Sequence, residues 1–211
     1  MRTRVAGKFC GVAAGAGRPQ SFSKSAQSMP RWAASASSAI LRCKRGGSPW
    51  RARELADRMA VLVFGALPAR RVGGLPQYLG VAMLPLYNCI VPVPPRQPLP
   101  GVPGLPLLLA RRLGQVLGIP VETPLSLRPG TRPQKELTRD ERLQNARGAF
   151  VCHPGADLTG KRVLLVDDII TTGATASACA LALLQAGATD VTVAAVAVAE
   201  ELPKEKRKKT K

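Results

Sequence analysis

The sequence predicts an α/β fold, with a mostly parallel, twisted sheet and helices on both faces. Residues 162–166 and residues 191–198 are apolar except for Arg162 and Thr192, which is typical of strands that are buried on both sides. Residues 175–186 between them have the length and composition of a helix, and Gly187 ends it. Strand, helix and strand at this spacing form a right-handed parallel unit. Strands that are apolar on both faces need helices on both sides of the sheet.

The N-terminal half of the predicted domain begins with a helix at Ser48 and Pro49, because serine suits an N-cap and proline suits a first helical turn. An apolar stripe at helical spacing continues to Leu62 and is predicted to face the core. Residues 65–85 contain so many glycines and prolines that we expect a loop there. Residues 89–93 are predicted to form a short buried strand that ends among prolines.

The middle of the chain holds three further predicted elements. Leu105–Leu117 has helical periodicity, and Gly118 and Pro120 give it a stop signal. Residues 124–127 are predicted to form another strand. The sequence TRDE is a capping box, which predicts a helix over residues 138–147.

Charge and composition divide the 211 residues into one domain, at residues 38–202, and two basic ends. Residues 1–37 contain no acidic side chain and are predicted to be a disordered extension, and residues 203–211 a disordered tail. The net charge of +18 is compatible with weak, sequence-blind contact with nucleic acid, or with a solvated basic surface. An acid-free, Arg-rich and Ser-rich start is also typical of organellar transit peptides.

Several classes of protein are excluded by what the sequence lacks. The five cysteines form no CxxC pair, so we predict no zinc site, and free thiols in a reducing, cytoplasmic compartment. They are Cys10, Cys43, Cys89, Cys152 and Cys179. No apolar stretch is long enough to cross a membrane. The absence of GxxxxGK[ST] argues against a P-loop kinase.

The densest chemical signal is VLLVDDIITTGAT, at residues 163–175. Asp167 and Asp168 lie at the carboxyl end of a predicted strand, where open parallel sheets bind their ligands. Neighbouring strand residues face opposite sides, so both carboxylates can serve one ligand only if the strand is already turning there. Carboxylates are acceptors that suit a ribose diol or a hydrated Mg²⁺.

The segment TTGAT, at residues 171–175, predicts a phosphate-binding turn. They supply hydroxyl groups, a glycine that lets backbone N–H groups converge, and then a helix N-terminus. Together with the aspartates, the stretch predicts a sugar-phosphate site. The structural alternative is an acidic strand end that only keeps a turn soluble.

This pattern of four apolar residues, two acids and TTGxT resembles the phosphoribosyl pyrophosphate (PRPP) signature of type I phosphoribosyltransferases. Residues 126–150 further resemble the ComF family of phosphoribosyltransferase-like proteins, and the resemblance covers about residues 40–199. The matching positions are Arg128, Thr131, Gln134, Arg142 and Asn145. The usual N-terminal zinc ribbon is lacking, and residues 96–106 read RQPLPGVPGLP where the family has an arginine-rich segment.

The resemblance implies a site for PRPP or ribose 5-phosphate with Mg²⁺ as cofactor. Asp167 and Asp168 would hold the ribose hydroxyls, directly or through Mg²⁺, and Arg96 would meet the pyrophosphate. The 5′-phosphate would be held by Thr171, Thr172, Gly173, Ala174 and Thr175. A flap at residues 128–135 would bring the catalytic side chains Arg128, Arg132 and Lys135, although a plain basic surface loop explains the same residues.

Two functions follow as expectations. The first is a glycosyltransferase that moves the phosphoribosyl group of PRPP to an unidentified nitrogenous acceptor, through an oxocarbenium-like transition state. The second is a non-catalytic ComF-like protein of competence, DNA uptake or nucleotide sensing. A homodimer is expected in either case.

Overall fold

A computed structural model of the chain describes residues 12–14, 40, 43, 49–72, 75–79, 86–128 and 148–198. Residues 12–14, 67–72 and 75–79 are described by their backbone alone. The described part of the chain contains eight strands and three helices. The strands are β1 (Val12–Ala14), β2 (Leu67–Val72), β3 (Leu75–Leu79), β4 (Cys89–Pro92), β5 (Leu125–Leu127), β6 (Phe150–Cys152), β7 (Arg162–Ile170) and β8 (Asp190–Val198). The helices are α1 (Pro49–Phe64), α2 (Leu105–Leu117) and α3 (Ala174–Gln185).

The main sheet has the strand order β1-β8-β7-β4. Strand β7 pairs in parallel with β4 on one side and with β8 on the other, and β1 adds an antiparallel edge to β8. Strand β7 leads through α3 to its parallel neighbour β8, which is the unit predicted from the sequence. The predicted fold class, α/β with a mostly parallel sheet, is confirmed.

Helices cover both faces of this sheet. Alternate residues of its strands point to opposite sides, and since these residues are apolar, both faces must be buried. Helices α1 and α2 pack on one face around Leu164 and Val166, and we call this the first core cluster. Helix α3 packs on the other face around Val163 and Leu165, which is the second core cluster. The strands are therefore apolar on both sides, as the continuous apolar runs predicted.

Helices α1 and α2 are also joined by an ion pair. Nε of Arg112 donates a hydrogen bond to Oδ1 of Asp57 over 2.6 Å, and the two side chains are only 13% and 11% exposed. By contrast, Arg58 and Glu54 form a pair at 2.7 Å within α1 whose side chains are 53% and 54% exposed. The buried pair fixes the relative position of the two helices, whereas the exposed one is largely screened by water.

Most predicted elements are found where the sequence placed them. Helix α2 has the predicted bounds, α1 begins at Pro49, and the predicted strands at residues 89–93 and 124–127 correspond to β4 and β5. The stripe of α1 faces the core at Leu55 and Met59, but the prediction is wrong for Leu62, which is 54% exposed. The predicted helix over residues 138–147 lies outside the described residues. Strand β1 lies within the predicted N-terminal extension, whose remaining residues are not described, and the domain boundaries stay a prediction.

The prediction of a loop over residues 65–85 is wrong for β2 and β3, which form an antiparallel pair. The pair is a separate two-stranded sheet, so each strand has one edge whose N–H groups need no ladder partner. A register shift between Pro68 and Arg70 leaves out Ala69, whereas Pro68 pairs with Tyr78 and Pro76 pairs with Arg71. Prolines that argue against a central strand are compatible with such a hairpin.

Candidate functional site

Asp167 and Asp168 lie in the part of β7 that has passed the end of β4. The last pair between those strands joins Pro92 to Val166, whereas β7 stays paired with β8 as far as Ile170. The two aspartates are only 8% and 6% exposed. Oδ1 of Asp167 accepts from the N–H of Asp168 over 2.8 Å, and Oδ1 of Asp168 accepts from the N–H of Ile169 over 2.7 Å. Each buried carboxylate therefore has a backbone donor.

The alternation of faces along β7 is interrupted at these aspartates. Leu165 belongs to the second core cluster and Val166 to the first, so strict alternation would place Ile169 in the second and Ile170 in the first. Instead, Ile169 packs against the first cluster and Ile170 belongs to the second. The strand was predicted to end at residue 166, and that bound is wrong, because the paired segment continues to Ile170. This break in the alternation is compatible with two adjacent carboxylates that address one ligand.

A tight turn leads from β7 into α3. Gly173 has φ +78° in the left-handed region, and its carbonyl accepts from the N–H of Ser177 over 2.8 Å to close the first helical turn. The N–H of Ala174 donates to Oγ1 of Thr172 over 3.3 Å, and no side chain caps Gly173. The first N–H groups of a helix have no partner within the helix, and the helix dipole is positive there. We call residues 171–175 the cradle, because such a turn suits an anion.

Arg96, in the loop after β4, reaches the cradle although it is 79 residues away along the chain. Its Nη2 donates to Oγ1 of Thr175 over 3.2 Å. Its guanidinium carbon lies 6.0 Å from the centroid of the Phe150 ring, at the start of β6. A cation above an aromatic face is held by the ring quadrupole. The structure therefore brings Arg96 together with one of the predicted phosphate-binding residues.

The three predicted catalytic residues fall in or beside the undescribed segment 129–147. Arg128 follows β5, and its N–H donates to the carbonyl of Ala149 over 2.8 Å. With α3 and β6 it lines a groove of about 410 Å³. Arg132 and Lys135 lie outside the described residues, so the catalytic role of all three stays a prediction.

Two residues near the site were not singled out by sequence reasoning. Phe150, the first residue of β6, is one, and the sequence marks it only as the end of the segment 126–150 that resembles the ComF family. Cys179 is the other: burial raises the pKa of its thiol, the charge of Asp167 raises it further, and the charge of Arg96 lowers it. The thiol stays protonated and forms part of the apolar surface close to Asp167. The signal in the sequence was its position four residues after Thr175, which places the two residues on one face of a helix.

The carboxylate oxygens at this site fit a magnesium ion that is bound together with a substrate. Mg²⁺ usually keeps several waters and is held by one or two carboxylates plus substrate phosphates. Asp167 and Asp168 offer such a pair. Within the described ranges, no group of three or more His, Cys, Asp and Glu side chains could form an all-protein metal site. None of the described helices is long and apolar enough to cross a membrane.

Together, the parallel sheet, the two aspartates of β7 and the cradle define an α/β protein with a site suited to a sugar phosphate. Residues 104–211, just over half of the chain, match the family model for the phosphoribosyl transferase domain. The chain belongs to this family.

Curated relatives and solved structures give weaker similarities. The chain is 35% identical over 91 residues to an adenine phosphoribosyltransferase of Synechococcus sp. (strain JA-2-3B'a(2-13)), covering 42% of this chain and 49% of that protein. It is 44% identical over 62 residues to the adenine phosphoribosyltransferase of Maricaulis maris (strain MCS10), covering 29% and 35%. The chain thus spans half or less of these relatives' length. A purine phosphoribosyltransferase from Pyrococcus horikoshii Ot3 aligns with 19% identity and a TM-score of 0.37, over 77% of this chain and 73% of that one.

Proposed function

We propose that the protein binds PRPP and transfers its phosphoribosyl group to a nitrogenous acceptor. The observation that carries the proposal is the close succession of the buried pair Asp167 and Asp168, the cradle after two intervening residues, and the start of α3. A 5-phosphoribosyl group presents a diol and a phosphate about one ribose length apart, so its groups match the order of these residues. Membership of the phosphoribosyl transferase domain family supports the same ligand.

Each part of the site has a distinct task in binding. Oxygens of Asp167 and Asp168 accept from the ribose hydroxyls, and their burial strengthens these hydrogen bonds. The N–H groups and hydroxyls of the cradle donate to the 5′-phosphate. Arg96, which the resemblance assigned to the pyrophosphate, adds its positive charge beside Thr175 and so serves the 5′-phosphate instead. When bound at the aspartates with PRPP, Mg²⁺ would supply charge neutralisation for the phosphate oxygens.

The transfer requires no covalent protein nucleophile. The bond from C1′ to the pyrophosphate oxygen breaks and pyrophosphate leaves with the electron pair, while the acceptor nitrogen bonds to C1′ and loses a proton. The protein must orient the two reactants, stabilise the departing charge and exclude water. We assign the stabilisation of pyrophosphate to Arg128, Arg132 and Lys135 of a flap over residues 128–135.

Release of pyrophosphate from PRPP tests the transfer. Adenine is the first acceptor to try, because the curated relatives are named adenine phosphoribosyltransferases. Other purines, pyrimidines and small amines complete the panel, each measured with Mg²⁺. We expect acceptor-dependent release that is lost when Asp167 and Asp168 are both replaced by Asn. PRPP binding without release for any acceptor would exclude the transferase.

The second candidate is the non-catalytic ComF-like protein, in competence, DNA uptake or nucleotide sensing. The observation that favours it is the loop between β4 and α2, where Arg96 is the one cationic residue between residues 93 and 104. An electrostatic DNA complex weakens steeply with salt. DNA binding that is absent, or that does not weaken between low and moderate salt, would argue against the DNA-binding form. A homodimer and a cytoplasmic location are proposed for both candidate functions. Light scattering of the purified protein tests the dimer.

A further inference from the structure

The loop between β4 and α2, residues 93–104, lies beside the cradle, because Arg96 of this loop donates to Thr175. We call it the β4–α2 loop. Its backbone offers few donors to an anion, since proline has no N–H group. The prolines are Pro94, Pro95, Pro98, Pro100 and Pro103. A further donor is used inside the loop, where the N–H of Val102 donates to the carbonyl of Leu99 over 3.1 Å.

The side chains of the β4–α2 loop are also unsuited to a diphosphate. Leu99 is 62% exposed and Val102 is 47% exposed, so the loop presents apolar surface to solvent. Arg96 is directed to Thr175 and to the Phe150 ring. Phosphate oxygens are bound most strongly by fixed N–H donors and by bidentate arginines.

The two halves of the site therefore differ. The cradle has the left-handed turn at Gly173, the uncapped start of α3 and the guanidinium of Arg96, all of which suit a single phosphate. The β4–α2 loop adds prolines and apolar side chains. We infer that the β4–α2 loop adds almost nothing to the ground-state affinity for PRPP and that the cations of the flap act on the pyrophosphate only as it departs. Ribose 5-phosphate or a nucleoside 5′-monophosphate then binds as tightly as PRPP. This inference rests on the proposed function.

Calorimetry with ribose 5-phosphate, PRPP and pyrophosphate, each with Mg²⁺, tests the inference on the full chain. We expect the dissociation constants of ribose 5-phosphate and PRPP to agree within about threefold, and pyrophosphate alone to bind at least about 100-fold more weakly. PRPP binding more than about tenfold tighter than ribose 5-phosphate would overturn the inference and leave the proposed function intact. Binding of neither sugar phosphate would overturn both.

A charge added to the β4–α2 loop gives a second, independent test. Leu99→Arg supplies a guanidinium at an exposed position, and we expect PRPP to bind about tenfold more tightly while ribose 5-phosphate is unchanged. Leu62→Arg on α1 is the matched control, because Leu62 is 54% exposed and receives the same charge. We expect no change for either ligand in the control. An equal gain in both variants, or no gain in Leu99→Arg, would contradict the inference.

Discussion

Gly173 and Gly118 give a matched pair of substitutions that separates backbone strain from ligand binding. Gly173 begins α3 with φ +78°, and Gly118 ends α2 with φ +69°. An L-residue in the left-handed region costs about 1–2 kcal/mol, and about 0.4–1 kcal/mol of this is offset because alanine restricts the unfolded chain. We therefore expect Gly173→Ala and Gly118→Ala each to lower the free energy of unfolding by about 1 kcal/mol, or Tm by about 2–4 °C.

The two variants differ in what the strained residue holds in place. The strain of alanine at residue 173 favours backbone conformations outside the left-handed region, in which the N–H groups at the start of α3 no longer converge. We expect Gly173→Ala to weaken ribose 5-phosphate binding at least about tenfold, and Gly118→Ala to leave it unchanged. Thermal unfolding without ligand and calorimetry with ligand are measured for both. Wild-type binding by Gly173→Ala, or equal losses in the two variants, would refute the role of the cradle.

Three further predictions concern charges and thiols. Arg96→Ala removes a charged donor beside the cradle, and calorimetry should show ribose 5-phosphate binding about tenfold more weakly. Removal of the exposed Arg111 on α2 should leave binding unchanged. Equal effects of the two substitutions would contradict the role of Arg96. Arg112→Met removes the ion-pair partner of the buried Asp57 and should lower the free energy of unfolding, measured in urea, by about 3–5 kcal/mol. Arg58→Met removes an exposed ion pair and should change it by less than about 1 kcal/mol. Similar losses in the two variants would refute the difference between the buried and the exposed pair. Burial raises the pKa of Cys89 from 9.0 to about 11, with a smaller contribution from a neighbouring glutamate. The unfolded thiol loses its proton first, so the free energy of unfolding should fall as pH rises from 9 to 11, and Cys89→Ala should reduce that fall.

The candidate site was largely predictable from the sequence because its chemistry is local. Asp167, Asp168 and the cradle are neighbours along the chain, so a buried strand followed by a Thr-Gly turn determines which groups come together. The order of the apolar runs predicted the parallel sheet for the same reason. Helix α2 combined a clear period with a glycine stop, and its bounds were predicted without error.

Features that depend on tertiary contacts were less predictable. The hydrogen bond between Arg96 and Thr175 joins residues that are far apart in the chain, and sequence gave only their separate charges and hydroxyls. Ile169 and Ile170 follow two acids, so a turn was expected there, yet pairing with β8 extends β7 through them. The hairpin of β2 and β3 was missed because its prolines argue against a central strand, whereas edge strands and irregular registers tolerate them.

Replacement of Asp167 and Asp168 by Asn tests most directly whether this site binds a phosphoribosyl group. Ribose 5-phosphate at 100 times its dissociation constant should stabilise the wild-type protein by about 2.7 kcal/mol, or Tm by about 5–10 °C. Asp157→Asn, at an exposed loop aspartate whose Oδ1 accepts from the N–H of Thr159, is the matched control and should keep this shift. We predict that the Asp167→Asn/Asp168→Asn protein unfolds cooperatively and shows no ligand-induced shift in Tm. A shift equal to that of the wild type would contradict the assignment of the ribose to these carboxylates.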